Sequence, residues 1–259
     1  MTSELKMPTF RLDGKVALVT GAGRGLGAAI AEGYAAAGAE VILLSRTQTH
    51  LEALSERITQ AGGKSRTVTC DVTDDAKLRE AIGALPALDI LVNNAGTNYP
   101  EPFVDVSDEH LDTMLGLNIR ACFVAAQASV KKMLEDAGRP DKGGCVINVS
   151  SQMGHVGSPN RTVYCMTKHA LEGLTKAMAV ELAPQNIRVN SIGPTFADTP
   201  LVRRVVDTPE KRDFIMSRIP MGKLATLGDI AAAAVYLASP AAAMVTGTHL
   251  IVDGGWTAQ

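Results

Sequence analysis

Ser151, Tyr164 and Lys168 are the residues of this 259-residue chain whose types and spacing best suit chemistry. Tyr164-Cys165-Met166-Thr167-Lys168 sets a phenol and an ammonium four residues apart. On a helix that interval stacks both side chains on one face. A tyrosine, with an ordinary pKa of about 10, is a weak acid–base at neutral pH. A neighbouring ammonium favours the phenolate and draws the group towards the working range. Ser151 closes the apolar run Cys145-Val146-Ile147-Asn148-Val149-Ser150, which reads as a buried strand. A hydroxyl there can donate a hydrogen bond to a substrate carbonyl while Tyr164 delivers the proton. Alone, Tyr-x-x-x-Lys more often marks an exposed pair on a helix surface.

The start of the chain supplies the context. Val16-Ala17-Leu18-Val19-Thr20 is a short apolar, β-branched run, the pattern of a strand buried on both faces. Gly21-Ala22-Gly23-Arg24-Gly25-Leu26-Gly27 follows at once, and residues 28–37 read as a helix. Strand, glycine turn and helix form the cradle of a dinucleotide pyrophosphate, which sits at the helix N-terminus. The spacing is not the usual G-x-G-x-x-G, since Leu26 stands where the third glycine would fall. A P-loop is excluded because no Gly-Lys-Ser/Thr follows.

Thr20-Gly21-x-x-x-Gly25-x-Gly27, Asn93-Asn94-Ala95-Gly96, Ser151 and Tyr164-x-x-x-Lys168, in that order and over residues 12–256, resemble the classical short-chain dehydrogenase/reductase family. The resemblance implies a single-domain α/β fold over residues 1–259: a Rossmann-type doubly wound parallel sheet of about seven strands, with helices on both faces. It implies that Ser151 polarises the carbonyl and that Tyr164 is the acid–base. Lys168 would lower the tyrosine's pKa and bind the nicotinamide ribose, so that Tyr164 and Lys168 also touch the cofactor. Asn118 matches the family asparagine that holds a water in the proton relay. Ser151 stands at the family interval before Tyr164, which leaves Ser150 as a structural strand-end residue. Asn93 would tie neighbouring strands together, with the Ala95-Gly96 backbone passing close to the cofactor.

Cofactor choice turns on what meets the adenosine 2′ position. The second strand ends in Ser45-Arg46, where an acidic residue would favour NAD. A guanidinium at Arg46, joined by Arg24 from the glycine loop, suits a 2′-phosphate unless both are simply solvated. NADP(H) is therefore the expected cofactor, with NAD(H) possible. Asp71-Val72 matches the family's adenine contact; the carboxylate reads as well as a cap on the helix beginning near Asp74-Asp75. After the sixth strand the family's Pro-Gly is Pro194-Thr195 here, followed by Phe196-Ala197-Asp198-Thr199. Pro194, Thr195, Ala197 and Thr199 are expected to reach the nicotinamide amide, largely through main-chain groups, although Thr195 has less backbone freedom than glycine.

Composition bounds the rest. Hydrophobic residues make up 46% of the chain and aromatic ones 4%, which suits parallel strands under Ala-rich helices. A net charge of −2 gives no reason to expect nucleic acid or an anionic membrane. Cys70, Cys122, Cys145 and Cys165 are scattered, form no metal-like cluster, and read as buried free thiols of a reducing compartment. Nothing at the N-terminus resembles a signal peptide and no apolar run reaches about 18 residues, so a cytoplasmic protein without a membrane span is expected.

Periodicity and breakers place strands near 16–20, 40–45, 66–70, 88–93, 144–150, 187–192 and 248–253. Helices fall near 25–37, 48–61, 74–84, 108–135, 162–183 and 228–239. Residues 137–144 read as a surface loop. Residues 199–224, carrying Arg203, Arg204, Lys211, Arg212 and Arg218, read as a substrate lid, or else as an amphipathic helix with a solvated basic face. His155 and Arg161 fall where a pocket mouth would be, without an assigned catalytic duty. The Ala-rich 108–135 and 162–183 helices imply, by resemblance, a homotetramer.

The implied activity is hydride transfer between NADP(H) and a small-molecule carbonyl/alcohol pair, as in gluconate-type dehydrogenases or 3-oxoacyl carrier-protein reductases. A cofactor-sensing protein on the same fold remains a different reading, although Tyr164 and Lys168 are both present. A methyltransferase would share the glycine turn but has no need of that pair.

Overall fold

Along most strands alternate residues are buried in two different cores, which is what a sheet covered on both faces demands. Ala17, Val19, Val41, Leu43, Ile90, Val92, Cys145 and Ile147 face one core. Leu18, Ile42, Leu44, Leu91 and Val146 face the other. The computed structural model describes residues 6–197 and 208–259. Its strands are β1 Val16–Thr20, β2 Glu40–Ser45, β3 Lys64–Thr69, β4 Ile90–Asn93, β5 Gly144–Val149, β6 Ile187–Pro194 and β7 His249–Val252. They form one sheet in the order β3-β2-β1-β4-β5-β6-β7, each neighbouring pair parallel.

Helices α1 (Gly25–Ala36) and α2 (Gln48–Gln60) bury Ile30, Ala31, Leu51, Leu54 and Ile58 against the first core. On the opposite face lies α3 (Asp75–Gly83), with Leu78 and Ile82 buried. The stretch expected as one helix over 108–135 is divided: α4 is Asp108–Leu115, a π turn occupies Gly116–Arg120, and α5 runs Ala121–Leu134. Periodicity cannot see the π turn, because one extra residue per turn barely disturbs an Ala-rich apolar stripe.

Residues 137–144 are not simply a surface loop. Arg139–Lys142 forms a short helix, α6, whose Arg139 side chain is 3% exposed. Its guanidinium donates to Asp89 Oδ1 at 2.9 Å, Met133 O at 3.0 Å and Leu88 O at 2.9 Å, and also to Gly143 O. Asp89 Oδ2 in turn accepts from Val16 N at 2.9 Å. This network ties together the amino ends of β1, β4 and β5. The long α7 (Thr162–Leu182) follows, then α8 (Pro209–Met216) and α9 (Leu227–Ala238). A capping box between Thr226 and Asp229 starts α9, which packs on α1, where Tyr34 Oη donates to Ala234 O at 3.2 Å.

The strand order reverses between β1 and β4. In a parallel sheet the crevice outside the carboxyl ends at such a point is where ligands sit. Thr20 and Asn93 close those two strands.

Candidate active site

The glycine turn is clamped to β4 by one hydroxyl. Thr20, 2% exposed, donates through Oγ1 to Val92 O at 3.3 Å and accepts from Asn94 N at 3.0 Å and Ala95 N at 3.2 Å. Asn94 Nδ2 returns the contact to Thr20 O at 2.9 Å and Gly21 O at 3.2 Å. Gly21 and Gly25 take positive φ values of 64° and 57°, which a side chain rarely adopts. At Gly27 a Cβ would lie 2.4 Å from Gly21 O and 2.5 Å from Asn94 Nδ2, so only glycine lets α1 start this close to the turn. Gly23 faces Ser45, whose Oγ would stand 3.1 Å from an added Cβ, and Leu26 packs against the first core.

Arg24, in extended conformation, precedes α1 without a side-chain cap, and the first turn holds no acidic residue. The first N–H groups of α1 are thus left for an external acceptor. A dinucleotide pyrophosphate fits that cradle. Arg46 is 75% exposed at the end of β2 with Nη1 3.7 Å from Asp71 Oδ2, so the two residues expected at the adenosine end lie side by side. Burial opposes ionisation of Asp71, but hydrogen bonds from Thr73 and the charge of Arg46 outweigh it and hold the carboxyl below its ordinary range. The cap of α3 is Asp74, which accepts from Lys77 N at 3.1 Å, so the capping alternative for Asp71 does not hold. Val72 is 7% exposed and buried in the second core.

Ser151, 7% exposed, follows β5 in extended conformation and its Oγ accepts from Met153 N at 3.1 Å. Accepting that bond leaves its proton free for another oxygen. Gln152 beside it is 1% exposed, and neither of its side-chain amide atoms finds a partner among the described residues. Tyr164 and Lys168 stand one turn apart near the start of α7. Lys168 is 6% exposed; its Nζ donates to Val149 O at 2.9 Å and lies 5.5 Å from the centroid of the Tyr164 ring. The ammonium is thereby held between the tyrosine and the carboxyl end of β5. Ser150 Oγ points to Lys168 O at 3.5 Å, as a strand-end residue should.

Asn118 sits inside the π turn. Its Oδ1 accepts from Thr97 N at 2.8 Å, while Nδ2 donates to Thr97 O at 2.9 Å and Thr167 Oγ1 at 3.2 Å. Thr167 Oγ1 donates to Tyr164 O at 2.8 Å. A single bonded path therefore joins the loop after β4, the π turn and the first turn of α7. Gly96 lies under it, with an added Cβ 3.2 Å from Asn118 Oδ1. Asn93 Nδ2 donates to Asn148 Oδ1 at 3.0 Å and Cys122 O at 3.2 Å, bridging β4, β5 and α5.

Thr97 and Thr167 were not singled out from the sequence, and Thr20 and Asn94 entered only as motif positions without a role of their own. Thr167 had one signal, its place between Tyr164 and Lys168; the others act across 21 to 75 residues, as for Asn118 with Thr97 (21 apart) and Ala95 with Thr20 (75 apart).

At the far side, Thr195 N donates to Val252 O at 3.2 Å, and Ala197 bridges to Ala225 in parallel. Thr195 is not among the residues at positive φ, so this backbone makes no use of the freedom a glycine would bring; its Oγ1 is buried without a partner among the described residues. Pro194 closes β6, paired with Val252. Thr199, Arg203 and Arg204 lie outside the described residues. Arg212 is exposed on α8, and Arg218 stacks on Phe214 with its guanidinium 4.4 Å from the ring centroid. His155 packs against His249 with ring centroids 4.0 Å apart, and its Nε2 lies 4.0 Å from Glu172 Oε2. Arg161 stays at the start of α7, where burial pushes its pKa down against the opposing influence of Tyr164 and Cys165. Cys165 is only half-buried, unlike Cys70, Cys122 and Cys145.

Known proteins agree with this geometry. Residues 21–257 match a family model described as enoyl-(acyl carrier protein) reductase. L-xylulose reductase of Bos taurus is 39% identical over 96% of this chain and 99% of its own. D-threitol dehydrogenase of Mycolicibacterium smegmatis is 41% identical over 96% of this chain and 95% of its own. A gluconate 5-dehydrogenase of Burkholderia cenocepacia, solved with NADP and tartrate, superposes with a TM-score of 0.91 at 33% identity over 98% of this chain and 99% of that one. With the seven-stranded parallel sheet and the glycine cradle, these likenesses show that the chain belongs to the classical short-chain dehydrogenase/reductase family, as a nicotinamide-dependent oxidoreductase that interconverts a carbonyl and an alcohol.

Proposed function

We propose that the protein is a single-domain, NADP(H)-preferring dehydrogenase/reductase of small polyhydroxy carbonyl compounds, sugars or sugar acids, with Ser151, Tyr164, Lys168 and Asn118 as its catalytic residues. The observation that carries this reading is the buried Lys168 ammonium, held by Val149 O at 2.9 Å and facing the Tyr164 ring from 5.5 Å. A buried cation with no carboxylate beside it among the described residues is costly unless it serves a partner, and the phenol one turn away is that partner.

The glycine turn, Arg24, the α1 N-terminus, Ser45 and Arg46, Asp71, the Ala95-Gly96 backbone, and Pro194, Thr195, Ala197 and Thr199 would hold the dinucleotide. When bound, it supplies hydride to the substrate carbon or takes it away. Ser151 donates its free proton to the carbonyl oxygen and fixes that oxygen beside Tyr164. Tyr164 transfers the proton to the same oxygen, or removes it in the reverse direction. Lys168 supplies the positive charge that favours the phenolate once the proton has left, and hydrogen-bonds the ribose. Asn118, both ends of its amide engaged by Thr97, stays rigid enough to seat a relay water. Residues 199–224 would cover the substrate, and Arg46 in place of an acidic residue supports NADP over NAD. L-xylulose, threitol and gluconate in the names of similar proteins support a short polyhydroxy substrate.

Exposed Phe123, Met166 and Val180 on α5 and α7 support a tetramer assembled through those helices. No helix among the described residues is long and apolar enough to cross a membrane, and all four cysteines are free; a cytoplasmic location fits the thiols.

The test is oxidation of NADPH and NADH with keto-sugars, keto-sugar acids and 3-oxoacyl thioesters, alongside Tyr164→Phe. Turnover with a polyhydroxy ketone that Tyr164→Phe abolishes, while NADPH still binds, is expected. Wild-type rate in the variant, or activity confined to thioesters, contradicts the reading.

A further inference from the structure

We propose that His155, Glu172 and His249 form a binding site for a divalent cation of the zinc type, separate from the reacting centre. One ligand atom from each lies within 4.8 Å of the others. The three come from the turn after Ser151, the middle of α7 and the start of β7, which only the tertiary fold brings together. His249 Nδ1 stands 2.9 Å from Glu172 Oε1 and His155 Nε2 stands 4.0 Å from Glu172 Oε2. The two imidazole centroids are 4.0 Å apart at 46°. Glu172 and His249 side chains are 7% and 6% exposed, whereas His155 is 35% exposed. The site therefore has two buried walls and one solvent-facing side through which an ion can enter.

The polar accounting shows what these groups lack. Ser191 Oγ donates to Glu172 Oε2 at 2.7 Å and lies 2.8 Å from His249 Nδ1. His249 Nε2 has no hydrogen-bond partner among the described residues, whereas Glu172 Oε1 meets His249 Nδ1 at 2.9 Å. Buried polar atoms are normally satisfied, so this orphan nitrogen needs a reason. Two imidazoles and a carboxylate form the borderline donor set that zinc takes, with one position left for water. The Ser191 bond to the other carboxylate oxygen is the outer contact that orients a ligating carboxylate. Gly193 makes room for the ring, since an added Cβ would come 2.2 Å from His249 Nε2. A bound cation would staple residues 152–155, and with them the segment leaving Ser151, to α7 and β7.

The test uses tag-free full-length protein, stripped with chelator and titrated with Zn²⁺ by calorimetry and with Co²⁺ by visible absorption. One ion per chain is expected, with a rise in Tm on loading. His155→Ala and the conservative His155→Asn should weaken binding about tenfold or more, since even outer-shell partners of a metal are worth about 10- to 100-fold in affinity. His169→Ala, an exposed histidine of the same helix region, should bind like wild type. Absence of saturable binding, binding unchanged in both His155 variants, or equal loss in His169→Ala would each overturn the site and leave a hydrogen-bonded network only.

Discussion

Replacing Arg139 by alanine separates what holds this fold from what it does. The side chain is 3% exposed and serves Asp89 and the carbonyls of Leu88, Met133 and Gly143. Alanine takes the charged donor from Asp89 Oδ1 and from those carbonyls, leaving the Asp89 carboxylate, 13% exposed, with Val16 N on its other oxygen and no cation beside it among the described residues. Removing one partner of a buried ion pair costs about 3–5 kcal/mol, because the other charge stays buried and uncompensated. For a domain of this size each kcal/mol lowers Tm by about 2–4 °C, so a fall of roughly 6–20 °C follows. The network lies at the amino ends of the strands, opposite the crevice where the cofactor cradle sits. NADPH affinity and kcat per folded molecule should therefore stay within about twofold of wild type at temperatures where the variant is folded. Circular dichroism melts and NADPH fluorescence titrations measure the two effects separately. A Tm shift below about 2 °C would mean that water replaces the guanidinium and that the segment is open. A large loss of NADPH affinity without a Tm change would contradict the division between the two ends of the sheet. Arg139→Lys should recover only part of the stability, since an ammonium cannot reproduce the planar fork that serves several acceptors.

Gly27→Ala should weaken NADPH binding at least about tenfold by fluorescence titration, because the new methyl meets Gly21 O at 2.4 Å and forces the turn out of shape; unchanged affinity would show that α1 can retreat. Arg46→Ala should raise the KM for NADPH by about 10- to 100-fold, the worth of a hydrogen bond to a charged group, and leave the KM for NADH alone; equal effects on both would remove the 2′-phosphate assignment. The thiolate is the reactive form of cysteine, and burial pushes the Cys122 thiol up to about 12 and raises Cys145 as well. At pH 8 both should resist iodoacetamide in the native protein, while half-buried Cys165, also raised by burial, is alkylated first by mass spectrometry. Prompt labelling of Cys122 would indicate that α5 opens readily. Thr20→Val keeps the shape but strips the acceptor from Asn94 N and Ala95 N, and should cost about 1–3 kcal/mol in urea unfolding; no loss would mean that the loop after β4 finds other partners.

The sequence alone determined the order of elements and the chemistry at their ends. Strands such as Val16–Thr20 are legible because burial on both faces demands unbroken apolar runs, and Tyr164 and Lys168 because helix geometry converts an interval of four into one face. Local spacing also carried the glycine turn, since Gly21 and Gly25 serve a backbone angle and Gly27 the close start of α1 on Gly21 O, while the contacts with Ser45 and Asn94 come from the fold. What required the tertiary structure is whatever depends on partners far away in the chain. The π turn at Gly116–Arg120 keeps the apolar stripe intact, yet it sets Asn118 against Thr97 and Thr167. Arg139 has the composition of a surface loop and becomes a buried hub only when Leu88 and Asp89 arrive from β4's approach. The sequence sets His155 between Ser151 and Tyr164, but only the fold brings Glu172 and His249 beside it. Hydrophobic period and turn chemistry are properties of short windows. Hydrogen-bond partners of buried polar groups are properties of the whole chain, and there only the folded structure decides.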